Sequence, residues 1–340
     1  MTSPLRVALV GYGIGGAVFH APLISRVPDL ALTTVVTGSR GDQVRADHPG
    51  IDVVATVEEV WAGEPELLVL ATPHATHVPL ALAAVRRGVP VVIDKPLALT
   101  AAEARPLVEE AQQRGVPLGV FHNRRWDGDF LTAQALLEGG RLGELVLWES
   151  RFERWRPDVG PGWRERIAPA AGGGLLLDLG SHLVDQALVA LGPVTSVHAV
   201  LDVRRTGAVA EDDVQLTLRH ASGARSLLVT SFLASQGGPR FRLLGTRGSW
   251  VKHGLDGQEA ELRGAAPVVE DGGLLGADGD TQALPARPGD YAAFYAGVAS
   301  ALQTGGPMPV SGADGLAVLQ VLDAARESAV TGNVVRLGLV

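Results

Sequence analysis

From Leu5 to about Phe121, short runs of β-branched and leucine residues alternate with stretches whose apolar positions recur at helical spacing. The runs Leu5 to Val10, Leu30 to Thr37, Leu67 to Ala71, Val91 to Ile93 and Leu118 to Phe121 read as strands. Strands separated by helices predict a parallel sheet, because each crossover between parallel neighbours needs room for a helix. The helix starts are marked by two capping boxes, Thr56-x-x-Glu59 and Thr100-x-x-Glu103. Gly88 and Gly115 stand where left-handed residues end the intervening helices.

After His122 the pattern changes. A glycine-led helical stretch runs from about Gly174 to Leu191, and strand-like runs follow near 194–205, 213–220, 225–232 and 240–244 with no helix between them. Consecutive strands predict a largely antiparallel sheet, so the chain divides into an α/β domain over 1–122 and an α+β domain over 123–340. The glycine-rich segment Gly264 to Gly279 reads as a surface loop. Helical patterns over roughly Asp290 to Gln303 and Ser311 to Thr331 precede a last short strand, Val334 to Leu337.

Composition narrows the function classes. The length of 340 residues fits about two domains, and 46% hydrophobic with 19% charged residues is enough apolar material for a sizeable core. A net charge of -8 argues against nucleic acid or an anionic membrane as the main partner and favours a small molecule. Cysteine is absent, which excludes disulfides and thiolate metal sites and suits a reducing, cytoplasmic setting. The few residues before Leu5 leave no room for a signal peptide, and no apolar run is long enough to span a bilayer.

The first strand runs directly into Gly11-Tyr12-Gly13-Ile14-Gly15-Gly16, a G-x-G-x-x-G pattern at 11, 13 and 16. At a strand's carboxyl end, such glycines permit a tight turn and bring a pyrophosphate close to the N–H groups of a helix start. Gly11, Gly13, Ile14 and Gly16 are therefore expected to bind a dinucleotide, in a doubly wound Rossmann domain. The second strand ends in Thr37-Gly38-Ser39-Arg40 with no carboxylate before Asp42. A hydroxyl and a guanidinium suit a 2′-phosphate, so Ser39 and Arg40 favour NADP, with NAD possible, unless Arg40 is a solvated loop residue. Thr72, Pro73 and His77 follow the third of the predicted strands; either they line the ribose and nicotinamide, or Thr76 or His77 caps the next helix.

Of 29 basic residues only Lys95 and Lys252 are lysine. A chain that drifts this far toward arginine keeps lysine where a compact, exchangeable ammonium is needed, which makes Lys95 a catalytic candidate; codon bias is the rival account. Asp178, His182 and Asp185 fall at i, i+4 and i+7 on a helix whose remaining face is apolar. Such a stripe is a solvent edge, the wall of a site, or part of a metal centre, and the last needs further ligands that the sequence does not supply. The arginines and tryptophans of Phe121 to Trp126 and Arg151 to Arg164, including Asn123, Arg125 and Trp163, suit either a polyhydroxylated ligand or a subunit interface.

Together these motifs resemble the family of glucose-fructose oxidoreductases and inositol dehydrogenases: the glycine fingerprint, Thr72-Pro73 with His77, Asp94-Lys95-Pro96, and Asp178-x-x-x-His182 after a glycine run. Asp94 stands where Glu is commoner in that family, and His74 where many members have asparagine. His122 to Asp127, Asp185-Gln186, Pro239-Arg240-Phe241 and Gly245 to Ser249 resemble the subgroup that contains NADP-dependent scyllo-inositol dehydrogenases.

The resemblance implies a Rossmann domain followed by a domain with an open-faced, largely antiparallel sheet that often mediates oligomerisation, here a dimer or tetramer. It implies a polyol or sugar substrate, with Lys95, Asp178 and His182 catalytic and Asn123, Arg125 and Trp163 at the substrate. Two other functions share this fold: a nicotinamide-binding sensor without turnover, and a sugar-processing enzyme that recycles its bound cofactor internally.

Overall fold

The computed structural model describes residues 3–160, 162, 165–267, 271–277 and 279–338. The chain forms two units, one of residues 1–123, 262–265 and 290–316, the other of 124–261, 266–289 and 317–340.

Six strands build the first unit: β1 (Leu5–Val10), β2 (Leu30–Val36), β3 (Asp52–Val54), β4 (Leu67–Leu70), β5 (Val91–Asp94) and β6 (Leu118–Phe121). They are parallel throughout, in the order β3-β2-β1-β4-β5-β6. β4 is buried at every position, as expected for a parallel strand covered on both faces, and this is why it reads as an unbroken apolar run. The strand order reverses between β1 and β4, so their carboxyl ends diverge at the point where open α/β sheets take ligands. Thr56 and Glu59 close their capping box, with Thr56 N donating to Glu59 Oε1 at 2.9 Å, and Thr100 Oγ1 accepts from Glu103 N at 3.2 Å.

The later chain does not stay in a single C-terminal unit. The helix Ala292–Thr304 belongs to the first unit, where Phe294 meets Phe121 edge to face and Tyr295 packs against it at a tilt. Val120 N donates to Val310 O, so this returning segment also covers the outer edge of β6.

In the second unit the described residues form a nine-stranded sheet. Its strands are β7 (Leu145–Glu153), β8 (Val194–Asp202), β9 (Asp213–His220), β10 (Arg225–Ser231), β11 (Phe241–Gly245), β12 (Ser249–Lys252), β13 (Asp271–Ala277), β14 (Asp280–Pro285) and β15 (Val335–Arg336). The order is β14-β13-β12-β11-β7-β10-β9-β8-β15, and β7 with β10 is the parallel pair in a sheet otherwise antiparallel. β9 alternates buried and exposed along its length, so one face of the sheet is covered and the other is open. On the covered face Trp148 meets Phe241 edge to face and Phe241 stacks on Trp250, and the helix Ser181–Leu191 packs on β7 and β10.

The expected loop at Gly264 to Gly279 is corrected over 271–277, which form β13. A Cβ on Gly272 would stand 2.3 Å from Pro285 O, and one on Gly273 2.5 Å from Val251 O. The glycines there allow close backbone approach between paired strands and do not mark a loop. The helical stretch before Leu191 also departs from regularity, opening with a π-helical turn, Leu176–Gly180.

Candidate active site

Gly11 has φ +98°, and a Cβ there would lie 2.4 Å from Ala71 O, so only glycine fits between the ends of β1 and β4. A Cβ on Gly16 would lie 2.1 Å from Gly11 O, which seats the following helix directly on the turn. Gly13 differs: a Cβ there would meet nothing within 4 Å. Its backbone is open to approach, Ile14 beside it is exposed, and the turn as a whole fits a pyrophosphate. At the end of β2, Ser39 and Arg40 are exposed, and Thr37 Oγ1 accepts Arg40 N at 3.2 Å. Asp42, the next carboxylate, is engaged by Arg45 at 3.0 Å.

After β4, Thr76 Oγ1 lies 2.7 Å from both Thr72 Oγ1 and Pro73 O, which fixes the turn at Thr72 and Pro73. His77, expected beside the ribose and nicotinamide, is instead fully buried. Its Nδ1 lies 2.9 Å from Pro96 O and its Nε2 3.0 Å from Thr72 O. Burial pushes its pKa down, against the nearby Asp94 charge and the two carbonyls. Both ring nitrogens thus face main-chain carbonyls, one in the turn after β4 and one in the turn after β5; a neutral ring donates to one of them, and burial keeps the other away from a nucleotide.

Lys95 follows β5, its backbone N–H donating to Asp94 Oδ1 at 2.8 Å. A Cβ on Gly15 would stand 2.9 Å from Asp94 Oδ2, so the glycine turn and the Asp94-Lys95 corner are in contact. Burial would raise the Asp94 pKa, but contact with His20 and the charge of Lys95 hold it well below the usual carboxylate range. His20 was not legible as a functional residue. Its one signal is a histidine inside the apolar run Ala17 to Leu23 directly after the glycine turn.

In the second unit, Gly174 has φ +92°, and a Cβ there would lie 2.2 Å from the Glu211 carboxylate. Glu211 Oε1 accepts Leu176 N at 3.1 Å, anchoring the start of the helical stretch; burial pushes this carboxyl's pKa up. Asp178 lies on the π-helical turn and is partly exposed, while His182 and Asp185 are 5% and 2% exposed. The solvent-edge account of the stripe is therefore excluded for His182 and Asp185. Arg154, one of the arginines in the segment Arg151 to Arg164, is a charged neighbour of Asp178; burial pushes its pKa down, and Asp178 and Glu259 oppose that shift.

Arg125, expected on the substrate, spends Nε and Nη2 on Asp185. Gln186 Nε2 donates to Arg124 O at 2.7 Å, and Gln186 Oε1 accepts from Arg240 Nη2 at 2.9 Å, so the helix carrying His182 is tied on two successive residues. Asn123 is buried at the end of the first unit, and Trp163 lies outside the described residues.

Comparison with known proteins agrees with this fold. Residues 5–122 match the oxidoreductase family with an NAD-binding Rossmann fold, and residues 130–251 match the GFO/IDH/MocA C-terminal domain. The chain is 38% identical to the oxidoreductase YdgJ of Escherichia coli, over 97% of both chains. It is 34% identical to IolW of Bacillus subtilis, a scyllo-inositol 2-dehydrogenase (NADP(+)), over 95% of this chain and 93% of that one. The solved structure of the oxidoreductase yvaA from Bacillus subtilis superposes with a TM-score of 0.93 at 32% identity, covering 99% of this chain and 100% of that one. With both domains matched in order and a glycine turn built for a dinucleotide, the chain belongs to the GFO/IDH/MocA family of oxidoreductases.

Proposed function

We propose that the protein is an NADP-dependent dehydrogenase that interconverts a secondary alcohol of a cyclic polyol or sugar, inositol-like, with its ketone. The observation that carries this reading is the contact between Gly15 of the nucleotide turn and Asp94, which ties Lys95 to the dinucleotide end of its unit. When bound, the nicotinamide supplies the two-electron redox chemistry. Gly11, Gly13, Ile14 and Gly16 hold the pyrophosphate, Ser39 and Arg40 take the 2′-phosphate, and Thr72 and Pro73 line the ribose and nicotinamide.

His182 removes the hydroxyl proton as general base. Lys95 donates to the same oxygen as negative charge develops on it, and Asp178 orients the substrate hydroxyl or the imidazole. Asn123 contributes to holding the substrate, and Arg125 acts by fixing Asp185. The name of IolW, at 34% identity, supports both the substrate class and the cofactor. The same reading has the protein work in the cytoplasm as a homo-oligomer, dimer or tetramer, with the open face of the nine-stranded sheet as its contact surface.

The test is absorbance of reduced nicotinamide across a panel of inositols, aldoses and their ketones, with each cofactor. Net NADPH formation with a cyclic polyol or sugar is expected, and it separates an ordinary dehydrogenase from a sensor or an internally recycling enzyme. Cofactor binding without net reduction on any member of the panel would overturn the proposal.

A further inference from the structure

His20 ends a π-helical turn, Gly15–His20, that leads from the glycine turn into the first helix. Wide turns of this kind recur at functional positions. The imidazole is fully buried against the Phe121 ring, 4.4 Å between centroids, where an apolar side chain would fill the space without needing partners. Instead its Nδ1 lies 2.6 Å from the Tyr295 hydroxyl, and its Nε2 faces Asp94 Oδ1 at 3.8 Å. The second distance is too long for a hydrogen bond and is an electrostatic contact.

Burial and the nearby Asp94 push the Tyr295 phenol well above its usual pKa, so it keeps its proton and donates to Nδ1. That bond selects the tautomer: the ring proton of a neutral His20 sits on Nε2, directed at the Asp94 carboxylate. Asp94 Oδ1 accepts the Lys95 backbone N–H at 2.8 Å. Tyr295, His20, Asp94 and Lys95 therefore form a continuous line inside the first unit. The charged and titratable groups facing Asp94 are His20 from the helix after β1, Lys95 beside it, His77 from the helix after β4 and Tyr295 from the helix Ala292–Thr304.

We propose that His20 and Tyr295 are positioning residues that hold the Asp94 carboxylate and, through it, Lys95. The dehydrogenase reading is needed for the kinetic half of the test and not for the chemical half.

The chemical half uses the two lysines. Lys95 is partly exposed and Lys252 is 3% exposed, so acylation by a water-soluble N-hydroxysuccinimide ester, followed by peptide mass spectrometry, reports on Lys95 with Lys252 as internal control. In the full chain, Tyr295→Phe and His20→Gln should each speed Lys95 acylation by about threefold to tenfold, the worth of one lost hydrogen bond. The kinetic half is the split between kcat and KM. A less firmly held Lys95 should lower kcat by about threefold to tenfold while KM stays within about twofold. NADPH affinity, measured by fluorescence, should stay within about twofold, a free-energy change too small to signal a damaged nucleotide site.

A purely packing role would lower the melting temperature and leave both readouts in place. If both variants fold and both keep the parent's Lys95 reactivity and kcat, the proposal is wrong. If His20→Gln does not fold, Tyr295→Phe, which removes one hydroxyl, decides alone. A parent without turnover on any polyol would sink the dehydrogenase reading, and the acylation comparison would then decide the positioning role.

Discussion

Arg125 grips Asp185 in a bidentate pair, Nε to Oδ2 at 2.9 Å and Nη2 to Oδ1 at 2.7 Å, with the aspartate side chain 2% exposed. Asp185 lies one turn beyond His182, so the pair fixes the helix that carries the proposed base. Breaking one side of a buried pair leaves the other charge uncompensated. Asp185→Asn and Arg125→Ala should each destabilise the fold by about 3–5 kcal/mol in denaturant titration. The double variant should cost less than the sum of the two, and full additivity would show that the two groups do not interact.

His182→Ala should lower kcat by about a hundredfold or more, as loss of a general base does. Cofactor affinity should be almost unchanged, because His182 belongs to the unit that lacks the glycine turn. Steady-state kinetics with calorimetry of NADP binding distinguish these effects. Intact turnover would move the acid/base role to another group.

The absence of a carboxylate before Asp42, and the engagement of Asp42 by Arg45, leave Arg40 as the charged side chain of the β2 turn. NADP should bind more tightly than NAD. Arg40→Asp should reverse or abolish the preference at a cost of about 1.5–3 kcal/mol, or roughly ten- to a hundredfold. Equal affinity of the unaltered protein for both cofactors in calorimetry would refute the assignment.

The parallel sheet was legible because its strands are apolar on both faces and its turns carry glycine and capping signals. The edge strand β3 was missed because it is three residues long and opens on an exposed aspartate, with no buried position to mark it. β7 was obscured because Glu149, Arg151 and Glu153 alternate with Trp148, Ser150 and Phe152, and Arg151 read as site chemistry although it pairs with Glu149 and Glu153. β13 was hidden by glycines that serve strand contact. At the candidate site, the scarcity of lysine pointed to Lys95 and helical spacing to His182, as the proposed function uses them. The partners of His77, Arg125 and His20 come from distant sequence, as with Tyr295, 275 residues from His20, and no local pattern encodes them.

Asp127 titrates in a way that stability should register. Burial pushes its carboxyl pKa up from 3.8 to about 8, with Asp129 and Asp256 adding to the shift and Arg124 and Arg240 opposing it. The folded protein then keeps a proton that the unfolded chain releases near pH 4. This group's contribution is fully present below about pH 4 and is lost progressively up to about pH 8. Asp127→Asn stays neutral and escapes the loss, so its stability relative to the parent should rise between pH 5 and pH 8. Parallel stability profiles across that range would show Asp127 already ionised in the folded state.

The two lysines should respond to arginine in opposite ways. Next to His253 and Gly254, Lys252 reads from the sequence alone as part of a tolerant turn. In the structure it closes β12, is 3% exposed, donates from Nζ to His253 O and lies within the electrostatic reach of Asp129. Lys252→Arg must fit a longer planar group into filled space, at a cost of about 1–3 kcal/mol in stability and with little effect on turnover. Lys95→Arg keeps the charge at a partly exposed site, so melting should barely move. Its turnover should fall by about a hundredfold, because a forked guanidinium cannot place a single donor where the ammonium stood. Kinetics and thermal melting of the two variants, run side by side, separate the roles. Native-like turnover in Lys95→Arg with saturating substrate would return that lysine to compositional drift and remove it from the proposed chemistry.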